Sequence, residues 1–260
     1  MINLTTGQLE AWLSTYIWPF FRIGACFMVA PLFGAQFVPP RLRLFLAGAI
    51  TFIVAPLIPA SDVVVFSLQG AIVTVQQIII GVAMGFALQL VFDALAMGGQ
   101  LLSNSMGLSF AFNVDPLRGT STPVLGQMYM LLVTLTFLAI NGHLVLIEIL
   151  AQGFTSMPVG TTAFGNDGFW NIASWGSHLF LGSLMVALPG MTALLVVNLA
   201  FGVMSRAAPT LNLFAIGFPI TLIFGLVIIY AGLPSVQTTF IESLELVFDM
   251  MRGMLGAPVP

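Results

Sequence analysis

The chain has 260 residues, of which 59% are hydrophobic and 6% charged, and its formal net charge is −3. Soluble domains carry charges on roughly a quarter of their residues. This composition therefore excludes a soluble enzyme, a nucleic-acid-binding protein and a disordered chain. What remains is an integral membrane protein, or a subunit that other apolar chains enclose.

Six apolar runs alternate with short polar breaks along the chain, at residues 11–33, 44–60, 68–102, 124–151, 176–204 and 211–233. Because a membrane-spanning helix needs about 20 apolar residues, this pattern predicts an all-α integral membrane protein of about six long, kinked helices. The third run would form a helix of about 50 Å, longer than the ~30 Å hydrocarbon core. It therefore requires a steep tilt, a break at Gly98-Gly99, or projection out of the bilayer.

The tail, residues 234–260, predicts one amphipathic helix. Its apolar residues recur at helical spacing on one face, and they are Phe240, Leu244, Val247, Phe248 and Met251. The break at 152–175 is predicted to be a loop.

The arginines predict the orientation of the chain, since cytoplasmic breaks carry an excess of basic residues. Placing the break with Arg41 and Arg43 in the cytoplasm also places there the break at 103–123, with Arg118, and the break at 205–210, with Arg206. Both termini and the remaining breaks then lie outside, and Arg252 is the exception.

Polar side chains inside the apolar runs are candidate functional residues, because they are costly in a membrane. Arg22 lies in the first run, and Asp93 or Glu148 is its candidate partner. One helical face of the third run carries Gln89, Asp93, Gln100 and Asn104, and the fourth run repeats a polar residue every seven positions, at Gln127, Thr134, Asn141 and Glu148. We favour interhelical hydrogen bonding for this polar seam over a water-lined path or proton relay.

Small residues at a spacing of four predict close helix packing. They are Gly81 and Gly85 in the third run, and Gly217, Thr221 and Gly225 in the sixth. The sequence contains no phosphate-binding loop, nucleophile elbow or zinc-protease motif, and no spacing of metal ligands. We therefore expect no enzyme activity, no metal and no cofactor.

The break at 103–123 is unusual because its first half is apolar, with Met106, Leu108, Phe110 and Phe112. These side chains would be costly in free water, so we expect them to be buried. They either dock on the protein's own surface or fill the mouth of a channel as a hydrophobic constriction.

Three blocks carry a resemblance to a known family: APLFGAQFVPPRLRLFLAGA (30–49), GLSFAFNVDPLRGTSTPVLGQ (107–127) and RAAPTLNLFAIGFPITLIFGL (206–226). In order and spacing they resemble the FliR/SctT family of type III secretion export gate proteins, and most closely its flagellar branch. The resemblance implies a non-enzymatic export gate subunit, present in one copy, that assembles with FliP and FliQ, with FlhB associated and FlhA as a further partner. Its location would be the bacterial inner membrane at the flagellar basal body, in contact with lipid.

The resemblance also implies residue roles. Residues 1–175 would form a FliP-like part, residues 176–233 a FliQ-like hairpin, and residues 234–260 the tail. Phe110 and Phe112 would plug the pore for unfolded flagellar proteins, with Met106 and Leu108 as additions. The hairpin turn, with Arg206, Pro209 and Asn212, would contact FlhB.

Three alternatives remain open from the sequence. One is the SctT-like subunit of a virulence injectisome. Another is a small-molecule secondary transporter, although no inverted repeat is evident. The third is a purely structural subunit that does not line the pore.

Overall fold

The computed structural model describes residues 6–34, 38–59, 61, 63–108, 124–160, 166–207 and 213–256, and all regular structure in these ranges is helical. The helices are α1 (Thr6–Val29), α2 (Pro40–Val54), α3 (Leu68–Ser105), α4 (Val124–Ala139), α5 (Gly142–Ser156), α6 (Asn166–Ala207) and α7 (Leu213–Met254), with one 3₁₀ turn after α2 (Ala55–Leu57). The predicted all-α membrane fold is confirmed.

Four helices in the described ranges are long and apolar enough to cross a membrane: α2 with its 3₁₀ turn, α3, α6 and α7. A fifth span results if α4 and α5 are counted as one broken span. The chain is therefore a membrane protein with several spanning helices.

Local sequence signals explain where helices begin. Pro40 occupies the first turn of α2, where its missing N–H costs nothing. Ser67 caps α3, because its hydroxyl oxygen accepts the Gly70 N–H at 3.0 Å, as expected of a serine three residues before that donor.

Three of the predicted boundaries are wrong. The fourth run is two helices, because Asn141 adopts a left-handed conformation (φ 58°) between α4 and α5. The predicted loop at 152–175 is mostly helical, with α5 ending at Ser156 and α6 beginning at Asn166. The tail is helical and its predicted apolar face is buried, but it continues α7 through Pro234.

The chain divides into two compact units. Unit 1 comprises the described residues within Met1–Leu90, Phe137–Gly176 and Leu244–Pro260, and unit 2 those within Val91–Thr136 and Ser177–Ser243. The boundaries fall inside α3, α4, α6 and α7, so each of these helices contributes residues to both units. The division into a FliP-like part, a FliQ-like hairpin and a tail follows chain order instead and stays a prediction.

Glycines on α3 hold the core of unit 1 together. A Cβ added at Gly81 would overlap the Arg22 carbonyl oxygen of α1, and one at Gly85 would lie 2.6 Å from the Cys26 carbonyl oxygen. Both distances are too short for a side chain, so only glycine allows this approach. The predicted close packing at Gly81 and Gly85 is confirmed.

Unit 2 uses a second glycine pair on α3. A Cβ at Gly98 would lie 3.1 Å from the Ser183 carbonyl oxygen of α6, and one at Gly99 would lie 2.8 Å from the Leu125 carbonyl oxygen of α4. Helix α3 is continuous through both residues. A break at Gly98-Gly99 is therefore wrong: the two glycines admit neighbouring backbones instead of ending the helix.

Candidate functional site

Unit 2 contains an open cleft of about 780 Å³ at the C-terminal end of α3, and we call it the α3-end cleft. Its walls also include the last turns of α6 and the first described turns of α7. The lining residues are Asn104, Ser105, Met106, Gly107, Asn198, Phe201, Gly202, Ser205, Gly217, Phe218 and Thr221. The beginning of the 103–123 segment and the end of α6 thus lie together. The predicted cytoplasmic location of both stays a prediction.

The last turn of α3 shapes the floor of this cleft. Gly107 has a positive φ of 78°, and its N–H donates to the Asn104 carbonyl at 3.1 Å, while the Leu108 N–H donates to the Ser103 carbonyl at 3.2 Å. This pair of bonds is the Schellman motif, which ends a helix at a left-handed glycine. The apolar segment therefore leaves α3 in a fixed direction as far as Leu108.

Met106 is anchored inside unit 2. Its side chain is 1% exposed and lies against Gly225 of α7, where an added Cβ would come within 2.7 Å of the Met106 sulfur. Gly225 belongs to the small-residue ladder predicted in the sixth run, and close packing there is confirmed at this residue. Methionine suits such a site, because its unbranched side chain adapts to an irregular surface.

Three hydroxyl groups that line the α3-end cleft make local hydrogen bonds. The Ser105 hydroxyl donates to the Leu101 carbonyl, the Ser205 hydroxyl to the Gly202 carbonyl, and the Thr221 hydroxyl to the Phe218 carbonyl. These hydroxyls are therefore satisfied within their own helices. The rings of Phe201 and Phe218 provide the apolar contact area.

The structure describes only some of the remaining predicted plug and contact residues. Leu108 is half-buried beside the cleft, and Arg206 is exposed in the last turn of α6. Phe110, Phe112, Pro209 and Asn212 lie outside the described residues. The roles of all these residues, and of Met106 in a plug, stay predictions.

Arg22 forms a separate polar site inside unit 1, where it is fully buried. Its guanidinium donates to Gln77 Oε1 of α3 at 2.7 Å, to the Gly153 carbonyl at 3.0 Å and to the Met157 carbonyl at 3.2 Å. It also lies over the Phe154 ring, 4.0 Å from the centroid, which adds a cation–π contact.

The position of Arg22 explains how a buried cation is tolerated. The carbonyls of Gly153 and Met157 belong to the C-terminal end of α5, which carries partial negative charge. The predicted pairing of Arg22 with Asp93 or Glu148 is wrong: the acceptors that its guanidinium meets are an amide oxygen and two backbone carbonyls. Glu148 is exposed and accepts a hydrogen bond from Gln152 at 3.0 Å.

Asp93, Gln100 and Gln127, three members of the predicted polar seam, line a second cavity in unit 2. This cavity has a volume of about 430 Å³, and its walls are completed by Ala96, Met97, Gly126, Met130 and Leu179. Gln89 is half-buried one turn before Asp93. The structure thus brings together polar residues that two different runs contributed.

The seven-residue repeat does not form one continuous face. Asn141 lies in the break between α4 and α5 and is exposed, so Gln127 and Glu148 belong to different helices. Thr134 satisfies its hydroxyl within α4 by donating to the Met130 carbonyl at 2.7 Å. A seam along a single fourth helix is therefore wrong.

Sequence reasoning missed the partners of Arg22 and the cleft residues on α6. Gln77 lies in a long apolar run, and its polarity is a signal that could have identified it. Backbone acceptors such as the Gly153 carbonyl have no sequence signature. In the part of the chain that the structure describes, no group of three His, Cys, Asp or Glu side chains could hold a metal ion.

Comparison with known proteins identifies the family of the chain. The profile of the family described as bacterial export proteins, family 1, matches residues 13–247. The flagellar biosynthetic protein FliR of Escherichia coli (strain K12) is 41% identical, covering 98% of this chain and 98% of that protein. The proteins of the same name from Pectobacterium carotovorum subsp. carotovorum (36% identity, 98% of each chain) and Aquifex aeolicus strain VF5 (29% identity, 88% of this chain and 89% of that protein) are also similar.

Proposed function

The chain belongs to the family of bacterial export proteins, family 1, and we propose that it is a non-enzymatic subunit of the flagellar type III protein export gate. In this proposal it resides in the inner membrane at the flagellar basal body. It assembles there with FliP and FliQ, with FlhB associated, and helps to form and plug the pore for unfolded flagellar proteins.

The exposed apolar surface of α6 and α7 is the observation that carries the proposed assembly. Each of these helices has 42 residues, which corresponds to about 63 Å, twice the ~30 Å hydrocarbon core. Lipid can therefore cover only part of their length. Large apolar side chains are exposed over more than about 30 Å of each helix, from Trp170 to Met204 in α6 and from Phe218 to Leu246 in α7. Helices of other polypeptides would cover the remainder.

Co-purification tests the assembly. The tagged chain is extracted from its native membrane in mild detergent, and mass spectrometry identifies what accompanies it. Recovery of FliP, FliQ and FlhB is the expected result. Recovery of injectisome subunits would indicate that the exported proteins are virulence effectors. A monodisperse chain without partners would contradict the proposal.

A deletion tests the plug, and the Schellman motif defines where it begins. Removing residues 109–120 leaves the helix end through Leu108 intact, together with the anchored Met106. We expect cells with this variant in an assembled gate to leak ions or small solutes, because the phenylalanines that would close the pore are gone. The control is the same deletion in cells without FliP, which should not leak.

The same deletion separates the plug from a purely structural role. An assembled gate that contains the deletion and stays tight would contradict the plug and favour a subunit that completes the ring without closing it.

A further inference from the structure

We propose that the groove between α1 and α2 binds an acyl chain of an anionic phospholipid whose phosphate group contacts Arg41. This groove lies within unit 1 and has a volume of about 380 Å³. The inference goes beyond the proposed function, because it concerns the lipid around the chain and does not require assembly with FliP and FliQ.

The lining of the groove is apolar. On α1, Trp12, Tyr16 and Phe20 recur every four residues and therefore form one wall. The Tyr16 ring stacks on Phe52 of α2, with the ring centroids 5.9 Å apart. Thr51, the polar residue on the α2 side, donates its hydroxyl to a carbonyl of the preceding turn at 2.7 Å. The groove therefore suits a hydrocarbon chain, whose burial needs no directional contact.

The floor of the groove is formed at Gly48 of α2. A Cβ added there would lie 3.9 Å from the Phe20 ring, so the missing side chain leaves this space open. Membrane helices that pack closely present small residues four positions apart, but Leu44 and Phe52, four positions on either side of Gly48, are large and exposed. They hold a helix, which is about 10 Å wide, away from the glycine, whereas a flexible acyl chain can pass between them.

A positive charge lies on the same face of α2 as the groove. Arg41, Phe45, Gly48 and Phe52 follow one another at spacings of four, three and four residues, which places them on one side of the helix. Arg41 is exposed in the first turn. A guanidinium group binds phosphate through two parallel hydrogen bonds, and basic residues near the membrane surface attract anionic lipids. The charge of Arg41 is therefore complementary to a phospholipid head group.

The distance from this charge to the groove matches the length of an acyl chain. Gly48 and Phe52 follow Arg41 by seven and eleven residues, which corresponds to about 10 and 16 Å along α2. One leaflet contributes about half of the ~30 Å hydrocarbon core, and α2 with its 3₁₀ turn is a candidate membrane span. A lipid whose phosphate group binds Arg41 thus reaches the groove with the end of its acyl chain.

Tryptophan quenching in reconstituted vesicles tests the site. The full chain is placed in phosphatidylethanolamine vesicles that contain a minority of phosphatidylglycerol with brominated acyl chains, which quench tryptophan on contact. Trp12 lines the groove and is 67% exposed, and each measurement is repeated with Trp12→Phe to isolate its signal. We expect the brominated lipid to be enriched at Trp12 about fivefold over its share of the bilayer, the factor that corresponds to one basic residue near the membrane surface.

Two substitutions act at opposite ends of the site. Arg41→Gln leaves the packing intact and should abolish the enrichment, whereas Arg41→Lys should stay within about twofold of wild type. Gly48→Leu should also abolish it by filling the groove, and its first added atom lies at an ordinary contact distance from Phe20. The matched controls are Arg206→Gln at the exposed end of α6 and Ala49→Leu, which is exposed beside Gly48 but outside the groove lining. Both should leave the enrichment unchanged.

The opposing results are equally defined. Enrichment that survives Arg41→Gln or Gly48→Leu overturns the site, because the lipid then does not depend on both the charge and the groove. Equal quenching by brominated phosphatidylethanolamine and brominated phosphatidylglycerol overturns it too, since the head group is then not recognised. An unquenched Trp12 in the wild-type chain also overturns it, because protein rather than lipid then covers the groove. None of these results depends on the recovery of FliP and FliQ, so this inference and the proposed function fail separately.

Discussion

Helices α3 and α6 are equally apolar in sequence but occupy different surroundings. In their most hydrophobic stretches, 67% of the residues of α3 are buried within the chain, compared with 28% for α6. Mean hydropathy therefore identifies both as membrane helices without telling which one forms the core. The α3 helix is packed by its own chain, whereas α6 offers most of its surface to lipid or to other proteins.

Glycine contacts account for much of this difference. Gly81, Gly85, Gly98 and Gly99 of α3 each meet a backbone carbonyl of another helix. On α6, Gly182 and Gly190 meet side chains, and Gly176 has no described atom within 4 Å of an added Cβ. A backbone cannot move aside as a side-chain end can, so the glycines of α3 fix where its neighbours lie.

The largest expected loss of stability comes from placing a side chain where the backbone of α3 contacts that of another helix. Gly81→Leu would place a side chain where α3 touches the Arg22 carbonyl, and overpacking of a tight core costs about 3 kcal/mol or more. We expect the variant to lose most of its accumulation in the membrane and its support of motility. Gly176→Leu on α6 is the matched control and should leave both unchanged. Immunoblots measure accumulation and soft-agar swarming measures motility. If the two variants behaved alike in both, the glycine contacts would not explain the difference between α3 and α6.

The second effect concerns the buried polar group that joins α1 to α3. Arg22→Met keeps an unbranched apolar stem but leaves the Gln77 amide oxygen and the two carbonyls without their donor, which costs about 3 kcal/mol. We expect a lower thermal unfolding midpoint of the purified protein in detergent. Arg22→Lys should recover only part of the loss, because an ammonium cannot reproduce the planar fork of the guanidinium. Arg41→Met, at the exposed start of α2, is the control; a stable Arg22→Met variant would contradict the role of Arg22.

The core helix was largely predictable from its sequence. The run at 68–102 corresponds closely to α3, and Gly81 and Gly85 were identified as packing residues by their spacing alone. This works because such a close approach of two backbones leaves no room for a Cβ atom, so the positions of the glycines in the sequence reveal it.

The break at Asn141 and the partners of Arg22 were not predicted, for two different reasons. Asn-Gly is a turn signal. Because strongly apolar stretches flank it on both sides, the whole run was interpreted as one helix. The acceptors of Arg22 are mainly backbone carbonyls, which every residue possesses. Sequence reasoning therefore predicted carboxylate partners for Arg22. The carbonyls at the C-terminal end of α5 stabilise its positive charge instead.

A third, smaller effect compares two glycines near helix ends. Gly107 ends α3 with φ 78°, a conformation that costs other residues about 1 kcal/mol, so Gly107→Ala should destabilise the protein by that amount. Gly253→Ala in α7 has the opposite expected sign. No described atom lies within 4 Å of its added Cβ, and alanine favours a helix by up to about 1 kcal/mol. Thermal unfolding of both variants distinguishes them, and a shift in the same direction for both would contradict the cap assignment at Gly107.

The smallest expected effect concerns a partly exposed ion pair at the end of α7. Arg252 donates to Asp249 at 3.0 Å, and the Asp249 side chain is 46% exposed. Water screens such a pair, so Arg252→Gln should change stability by only about 0.3 kcal/mol, and added salt should abolish the difference. Arg22 has no comparable water around it, and the loss from Arg22→Met should persist at high salt. Parallel unfolding of the two variants at low and high salt measures this contrast. A large, salt-resistant loss for Arg252→Gln would mean that this end of α7 is as desolvated as the surroundings of Arg22.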